Sequence, residues 1–293
     1  MKLLIGLIRS LRPQQWTKNV LVFAGLLFAQ KAADPAAVME AVEAFIVFCL
    51  LAGGTYIIND ALDVERDRLD PIKRHRPMAA GVMPVWFGII SAIIIILGSL
   101  AGAYYAAGLP LLKVCLAYLG ITLAYSGVLK RIVIVDVFAI ASGFVLRAVA
   151  GAVAVQAVIS PWLILCTMLL ALFLALAKRR GEITTLGDQA SNHREILAEY
   201  SQALLDQMIS VMTASTLMSY ALYTISDRTV ALVGSTNMLY TIPFVIYGIF
   251  RYLYLIHQKG QGGHPERVLL RDWPLMINIL LYGCAVGIIL YLR

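Results

Sequence analysis

The sequence predicts an all-α integral membrane protein, a bundle of nine transmembrane helices. Apolar residues make up 60% of the 293 residues, 14% are charged, and the mean hydropathy is +0.81. A water-soluble domain of this size does not tolerate that balance. Stretches long enough to cross about 30 Å of hydrocarbon lie near 17–33, 38–58, 83–106, 109–129, 132–156, 160–177, 204–226, 237–257 and 273–292.

The basic residues give the predicted bundle an orientation. If the N-terminus faces the cytoplasm, 18 of the 24 Lys and Arg residues fall on cytoplasmic segments, as the positive-inside rule expects. The net charge of +7 is thereby explained by topology, so nucleic acid is not expected as a partner. We expect a multi-pass protein of the inner (plasma) membrane.

Two long hydrophilic loops follow the second and sixth predicted spans and so face the cytoplasm. They cover residues 59–82 and 178–203 of one transmembrane domain, 1–293. Each stands at a similar place in its half of the chain, which leaves an internal duplication open. The chemistry of the protein is expected on these loops, at the cytoplasmic side.

An acidic motif ends the second predicted span. Asn59, Asp63 and Asp67 are spaced at i, i+4 and i+8, so on a helix they share one face, with Asp60 beside them. Carboxylates stacked in this way repel one another unless a cation lies between them. Oxygen-only ligands favour Mg²⁺, which keeps waters and substrate phosphates in its shell. The alternative is a solvated helix end, since arginines are interleaved with the acids.

A basic cluster, Lys73-Arg74-His75-Arg76, follows within reach of the same carboxylate face. Arg offers a fixed fork for phosphate oxygens and Lys a point charge, so acids and bases together suit a diphosphate bound through metal. The alternative interpretation of Lys73 and Arg76 is charge that only sets topology.

Two ionisable residues lie inside the fifth predicted span. Asp136 and Arg147 are about three turns apart and share a face with Gly143. An arginine at this depth indicates a functional site, where it would hold a phosphate, or a structural ion pair with an acid on another helix. Four further polar residues lie at predicted membrane boundaries, where such side chains usually act as anchors. They are Lys18, Tyr125, Lys130 and Asp272.

The motifs "NDALDVERD" and "KRHRPMAAG" resemble those of the UbiA superfamily of intramembrane prenyltransferases, over nearly the whole chain. The resemblance implies nine helices around a central cavity, with magnesium-bound diphosphate at its cytoplasmic mouth. Prenyl-diphosphate users of the superfamily carry a second aspartate-rich motif after the sixth span. Here that place reads "KRRGE", at 178–182, which favours direct phosphate contact and a different donor.

Further segments resemble the decaprenyl-phosphate phosphoribosyltransferase branch of the superfamily. They are "LRPQQWTKN", "YSGVLKR", "KRRGE", "HREILAEYS" and "PERVLLRDWPL". The resemblance implies transfer of 5-phosphoribose from phosphoribosyl diphosphate to a polyprenyl phosphate, with release of pyrophosphate, for lipid-linked pentose donors in cell-wall synthesis. It implies Mg²⁺ as cofactor and the bilayer and these two substrates as partners, and it leaves an oligomer open.

The resemblance also distributes roles over this sequence. Metal ligands are expected at Asn59, Asp60, Asp63 and Asp67, and catalytic roles at Asp63, Asp67 and Arg147. Contacts to substrate phosphates are expected from Lys18, Lys73, Arg76, Tyr125, Lys130, Lys178, Arg179 and Glu182. Further candidates are Asp136, Arg194 and Asp272.

Two other functions remain open. The first is transfer of a prenyl chain from its diphosphate to an aromatic or lipophilic acceptor. The second is an anion transporter, which should bind its cargo near the midplane in broken helices. Most motif charge lies at one face, which argues against transport, although Arg147 keeps that alternative open.

Overall fold

The computed structural model describes residues 2–70, 73–186, 195–260, 262–263, 268 and 271–291. Within these ranges the regular structure is helical, without strands. The α-helices are α1 (Lys2–Ser10), α2 (Phe23–Phe28), α3 (Pro35–Leu62), α4 (Val64–Leu69), α5 (Val85–Gly127), α6 (Val135–Ala154), α7 (Pro161–Leu186), α8 (Gln202–Ile225), α9 (Asp227–Val233), α10 (Ile242–Gln258) and α11 (Trp273–Tyr291). The 3₁₀ helices are Pro13–Val22, Lys73–His75, Leu129–Arg131, Glu195–Glu199 and Asn237–Thr241.

Seven helices of the described chain are long and apolar enough to cross a membrane. They are α3, α5, α6, α7, α8, α10 together with the 3₁₀ turn before it, and α11. The prediction of an all-α, multi-pass membrane protein is therefore confirmed, whereas the count of nine spans is not.

Helix α5 accounts for two of the predicted spans. It runs for 43 residues, but Ala107 (φ −144°, ψ 23°) and Gly108 (φ 67°, ψ −158°) leave the helical conformation. Gly108 takes a left-handed φ that favours glycine, and Pro110 has no N–H to continue the ladder. The predicted spans 83–106 and 109–129 correspond to the two halves of this broken helix.

The first predicted span, 17–33, is not a long α-helix. The chain forms the 3₁₀ helix Pro13–Val22 and then the six-residue α2. This segment crosses α6 at very close range: a Cβ on Gly151 would lie 1.7 Å from the Val22 carbonyl oxygen. A Cβ on Gly25 would lie 2.4 Å from the backbone nitrogen of Ala152. Hydropathy alone does not distinguish such a tight, partly 3₁₀ segment from an ordinary transmembrane helix.

The chain divides into two compact units. Unit 1 is Met1–Gly127 with Gly143–Ile159, and unit 2 is Val128–Ser142 with Ser160–Arg293. In unit 1 the core is built on buried side chains of α3 and α5, among them Phe48, Leu51, Leu111 and Tyr118. Unit 1 carries the acidic motif and unit 2 carries "KRRGE", while the description of 1–293 as one domain stays a prediction.

Candidate functional site

The acidic motif lies where α3 passes into α4. Although Asp63 interrupts the helix (φ −98°, ψ 8°), the backbone pattern continues across it. The Asp63 N–H donates to the Asn59 carbonyl over 3.0 Å, and the Asp67 N–H to the Asp63 carbonyl over 2.8 Å. The predicted common face of these three residues is therefore present. The Asn59 side-chain amide donates to Asp63 Oδ2 over 3.3 Å.

Two arginines neutralise the buried carboxylates of this motif. Arg76 Nη1 donates to Asp60 Oδ1 over 3.0 Å and to Asp67 Oδ2 over 2.6 Å, and Arg12 Nη2 also donates to Asp60 Oδ1. Both carboxylates are only 3% exposed. Carboxylates that repel one another in a dehydrated setting need a nearby cation, and here guanidinium groups provide it.

The donor chemistry of the motif fits a magnesium ion. Asn59 and Asp63 offer side-chain oxygens about one turn apart, and Asp67 keeps Oδ1 outside its bond to Arg76. The described residues hold no preassembled group of three metal-binding side chains. Mg²⁺ does not need one, because it is usually held by one or two carboxylates together with substrate phosphates and waters.

Lys73 borders the motif on its other side. Its backbone N–H donates to Asp70 Oδ1 over 2.9 Å and its Nζ lies 3.4 Å from Asp70 Oδ2, so this acid ties the basic cluster to the end of α4. The Lys73 side chain is 32% exposed and can reach a ligand at the surface of the motif. Arg76 thus contacts the acidic motif directly, through Asp60 and Asp67, whereas the contacts of Lys73 are with Asp70.

Sequence reasoning did not place Arg12 in this site. Arg12 has a left-handed backbone (φ 52°), and its guanidinium stacks 5.1 Å from the centre of the Tyr56 ring while it pairs with Asp60. The only sequence signal was its position in "LRPQQWTKN", since charge at a predicted membrane boundary is otherwise uninformative.

Arg147 is buried in unit 1 with neutral hydrogen-bond partners. Nε donates to Asn19 Oδ1 over 2.6 Å, Nη1 to the Gly143 carbonyl over 2.7 Å and Nη2 to the Tyr118 hydroxyl over 2.9 Å. Gly143 and Arg147 therefore share a face of α6, as predicted. The alternative of an ion pair with an acid finds no support among the described residues. Sequence reasoning missed Asn19 and Tyr118, although a polar side chain within an apolar segment is a signal of a functional site.

Asp136 belongs to a different network, in unit 2. Arg179 Nε donates to Asp136 Oδ2 and its Nη1 to Glu182 Oε2, both over 2.8 Å. The Tyr200 hydroxyl donates to Asp136 Oδ1 over 2.8 Å and accepts the Ile134 N–H over 2.7 Å. Burial, with the Asp136 charge adding to it, raises the pKa of Tyr200 to about 12. Arg179, expected to contact a substrate phosphate, is thus 1% exposed and held by two carboxylates.

The rest of "KRRGE" is also tied to its surroundings. Arg180 forms a salt bridge with Asp206. The Nε2 atom of His257 also lies 3.3 Å from Asp206 Oδ1. A Cβ on Gly181 would come within 2.2 Å of the Gly263 backbone nitrogen, so the turn after α10 lies directly against α7. Lys178 is half-buried at the same end of α7. Arg179 and Arg180 at this end of α7 are therefore both paired with carboxylates.

The remaining candidates fall into three groups. Lys18, Tyr125 and Lys130 are half-buried, at the first 3₁₀ helix, near the end of α5 and in the turn that follows. Arg194 lies outside the described residues. Asp272 accepts from Arg251 Nε over 3.0 Å and Nη2 over 2.8 Å and from the Leu275 N–H, so it caps α11. The Arg251 guanidinium lowers the pKa of Asp272.

Known proteins are similar to this chain in sequence and in fold. The chain is 35% identical to the decaprenyl-phosphate phosphoribosyltransferase of Mycolicibacterium smegmatis, covering 99% of this chain and 93% of that protein. It is also 35% identical to the protein of the same name from Corynebacterium glutamicum, covering 98% and 87%. A UbiA homologue from Archaeoglobus fulgidus, solved with GPP and Mg²⁺, superposes with a TM-score of 0.73 at 19% identity, covering 97% of this chain and 99% of that one.

The family assignment follows from the length of the match as well as from the motifs. The sequence pattern of the UbiA prenyltransferase family fits residues 19–270. That range holds the acidic motif, the basic cluster after it, Arg147 and "KRRGE". The protein is a member of the UbiA prenyltransferase family.

Proposed function

We propose that this protein transfers the 5-phosphoribosyl group of phosphoribosyl diphosphate to a polyprenyl phosphate and releases pyrophosphate. The relatives from M. smegmatis and C. glutamicum, which match almost the full chain, carry the name of this activity. The observation that supports it most strongly lies in the sequence: one acidic motif follows α3, whereas the end of α7 reads "KRRGE" in place of a second aspartate-rich motif. A donor with a 5-phosphate as well as a diphosphate needs two sites for anions.

We place the donor diphosphate at the acidic motif. Asn59, Asp63 and Asp67 would hold Mg²⁺ through their side-chain oxygens, and Lys73 would contact the diphosphate directly. A bound Mg²⁺ would act as a Lewis acid on the diphosphate and neutralise charge that builds up on it. Arg76 orients Asp67 from behind, as outer partners of metal ligands commonly do. Asp60 anchors Arg76 and Arg12 in this arrangement.

The reaction itself asks little acid or base chemistry of the protein. The bond between ribose C1 and the diphosphate oxygen breaks, pyrophosphate leaves with the electron pair, and an oxygen of the lipid phosphate forms the new bond to C1. A phosphate monoester is already anionic near neutral pH, so no strong general base is needed. The side chains of the site bind, orient and compensate charge. Lys178, with Glu182 one turn further along α7, is assigned to a further substrate phosphate.

The proposed site faces the cytoplasm. The acidic motif and the end of α7 lie where the second and sixth predicted spans reach the cytoplasmic side. Most Lys and Arg residues are predicted on the same side. The membrane would be the inner, plasma membrane, where polyprenyl phosphates are supplied to cell-wall synthesis.

A transfer assay with purified protein tests the proposal. Detergent-solubilised protein receives MgCl₂, labelled phosphoribosyl diphosphate and a polyprenyl phosphate, and label is measured in the organic phase. We expect label with wild type and magnesium, and at least about a hundredfold less with Asp63→Asn. Glu65→Gln is the matched control, because Glu65 is in the same motif but 80% exposed and paired with Arg68.

A prenyl-transfer activity is the second candidate. It is favoured by the fold, since the A. fulgidus structure holds GPP and Mg²⁺. Label from a prenyl diphosphate on an aromatic or lipophilic acceptor, without any phosphoribosyl transfer by the same folded protein, would overturn our assignment.

A further inference from the structure

Among the described residues of unit 1, one buried cation has only neutral hydrogen-bond partners. Arg147 is 5% exposed, and its three nitrogens donate to an amide oxygen, a backbone carbonyl and a phenol. Its guanidinium stands over the rings of Tyr118 and Phe144, at 4.9 Å and 5.4 Å from their centres. In the part of the chain that the structure describes, no carboxylate forms a salt bridge with it. These hydrogen bonds occupy three N–H groups of the guanidinium, but their neutral acceptors do not compensate its positive charge.

The other buried arginines of the described chain are treated differently. Arg179 and Arg180 each have a carboxylate partner. Removing a guanidinium from water is costly, and neutral acceptors and aromatic faces repay only part of that cost. Three of the five N–H groups of Arg147 are used, so the group keeps donors as well as charge for an anion.

A second buried donor, on Trp16, lies one 3₁₀ turn before Asn19, the residue that contacts Arg147. The indole Nε1 of Trp16 is buried and has no hydrogen-bond partner in the described structure. Trp16 and Asn19 are three residues apart on the 3₁₀ helix Pro13–Val22, so their side chains project from the same face, about 6 Å apart along the axis. Buried indole N–H groups usually find a partner. This orphan donor therefore points to an acceptor that is supplied by a ligand.

The position of Trp16 relates this region to the acidic motif. Asn19 contacts Cys49 Sγ over 3.2 Å, and Cys49 lies eleven residues before Asp60 on α3, about 16 Å along the helix axis. At the other end of the same 3₁₀ helix, Arg12 pairs with Asp60. Along this segment Trp16 therefore lies between Arg12, which contacts Asp60, and Asn19, which contacts Arg147. The separation leaves room for a diphosphate, a pentose ring and a second phosphate in sequence.

We infer that Arg147 and Trp16 bind the phosphate of the acceptor lipid, a long-chain isoprenoid phosphate monoester. The inference rests on the proposed phosphoribosyl transfer and extends it to the acceptor. The environment favours the lipid over the 5-phosphate of the donor, because Tyr118, which accepts a hydrogen bond from Arg147, belongs to an apolar cluster with Phe48 and Leu51. An isoprenoid chain can occupy such surroundings, whereas a sugar phosphate would lose its hydration there.

Binding without turnover tests the inference. Full-length protein in detergent with EDTA is titrated with farnesyl phosphate, farnesol or ribose 5-phosphate, and thermal stabilisation is recorded. We expect farnesyl phosphate to stabilise the wild type more than farnesol does. Arg147→Gln should weaken the farnesyl phosphate affinity by about tenfold and Trp16→Phe by about threefold, with farnesol unaffected in both. If ribose 5-phosphate is the ligand that loses affinity instead, the site belongs to the donor and the inference is wrong.

Trp16→Phe keeps the test decisive if Arg147→Gln does not fold. The substitution removes one N–H that has no protein partner and retains most of the aromatic surface. Unchanged farnesyl phosphate affinity in folded Trp16→Phe would overturn the inference. Arg147→Lys serves as a further variant, since it keeps the charge but loses the planar fork and should recover part of the affinity.

Failure of the proposed function would look different. Phosphate-dependent binding of farnesyl phosphate that needs Arg147, in a protein that never transfers labelled phosphoribose, would leave this subsite standing and remove the reaction. If transfer proceeds normally in Trp16→Phe and Arg147→Gln, with unchanged KM for the lipid, the proposed reaction stands and the lipid phosphate subsite is wrong.

Discussion

Arg76 holds Asp60 and Asp67 together from a single guanidinium nitrogen, 3.0 Å from one carboxylate and 2.6 Å from the other. The two acids are seven residues apart, one on α3 and one on α4, so this arginine fixes the angle between the two helices at Asp63. The proposed metal ligand Asp63 lies at this junction, so the orientation of its side chain depends on the angle between the two helices. Arg76 therefore matters for geometry in addition to charge.

Replacing Arg76 should affect both stability and the metal requirement. Arg76→Gln leaves two buried carboxylates facing each other with only Arg12 as a cation, so we expect a loss of about 2 kcal/mol, less than for a fully buried pair because Arg76 is 25% exposed. The Mg²⁺ concentration for half-maximal transfer should rise about tenfold. Thermal unfolding and a magnesium titration measure the two effects. Arg74→Gln, an exposed neighbour, should change neither.

The network of Arg179 predicts coupled effects on stability. Arg179→Gln leaves Asp136, which is 0% exposed, without its cation, and a loss of about 3–5 kcal/mol is expected. Asp136→Asn should be destabilising too, but the double variant should cost less than the two single losses together, by about 1–3 kcal/mol. Additive losses would show that the two residues act independently. Lys178→Gln is the comparison: it leaves the pair of Arg179 and Asp136 in place, so it should show no such coupling with Asp136→Asn.

Tyr200 predicts a loss of stability at alkaline pH. Its pKa is raised from 10 to about 12 by burial and by the neighbouring Asp136, so the unfolded chain releases this proton at lower pH than the folded chain. The contribution is fully present below about pH 10 and is lost as the pH rises toward 12. Melting curves between pH 9 and about pH 12 should fall more steeply for wild type than for Tyr200→Phe. Parallel curves would exclude Tyr200 as the titrating group.

Asp272 predicts a loss at the acidic end of the range. Its pKa is lowered from 3.8, chiefly by hydrogen bonds from Arg251 and then by the N–H of Leu275. The contribution is therefore present above the unfolded pKa, near 4, and is lost as the pH falls through the folded value. Asp272→Asn should have a flatter stability profile below pH 4, measured by thermal unfolding. Asp272→Ala should lose about 1 kcal/mol more, because it also removes the cap of α11.

The acidic face was predictable because it depends on local geometry. Spacing of four residues places Asn59, Asp63 and Asp67 together on any helix, and the break at Asp63 is too small to separate them. Hydropathy likewise predicts the long helices, since the bilayer demands a minimum apolar length. The shared acidic face and the apolar length of a helix both depend only on residues that are close in sequence.

Partnerships between helices were not predictable in the same way. Periodicity predicts that Asp136 and Arg147 share a face of α6, but it does not predict their partners. Arg179 of α7 contacts Asp136, and Asn19 of the first 3₁₀ helix contacts Arg147. Which helix packs against which depends on long-range contacts that spacing does not encode. The same holds for Gly151, whose lack of a side chain matters only because another backbone crosses there.

That crossing gives the most severe single substitution expected outside the charged groups. Gly151→Ala would place a Cβ 1.7 Å from the Val22 carbonyl oxygen, and backbone on both sides leaves no flexible side chain to yield. The first segment would have to move off α6, taking Asn19 away from Arg147 and Lys31 Nζ from the Val155 carbonyl, which it contacts at 2.6 Å. We expect a loss of about 3 kcal/mol or more, read as reduced monodisperse protein after heating. Gly98→Ala is the matched control: a Cβ there meets nothing within 4 Å, so stability should hold or rise slightly through better helix propensity. Equal behaviour of the two variants would mean that the 3₁₀ segment does not pack on α6 as described.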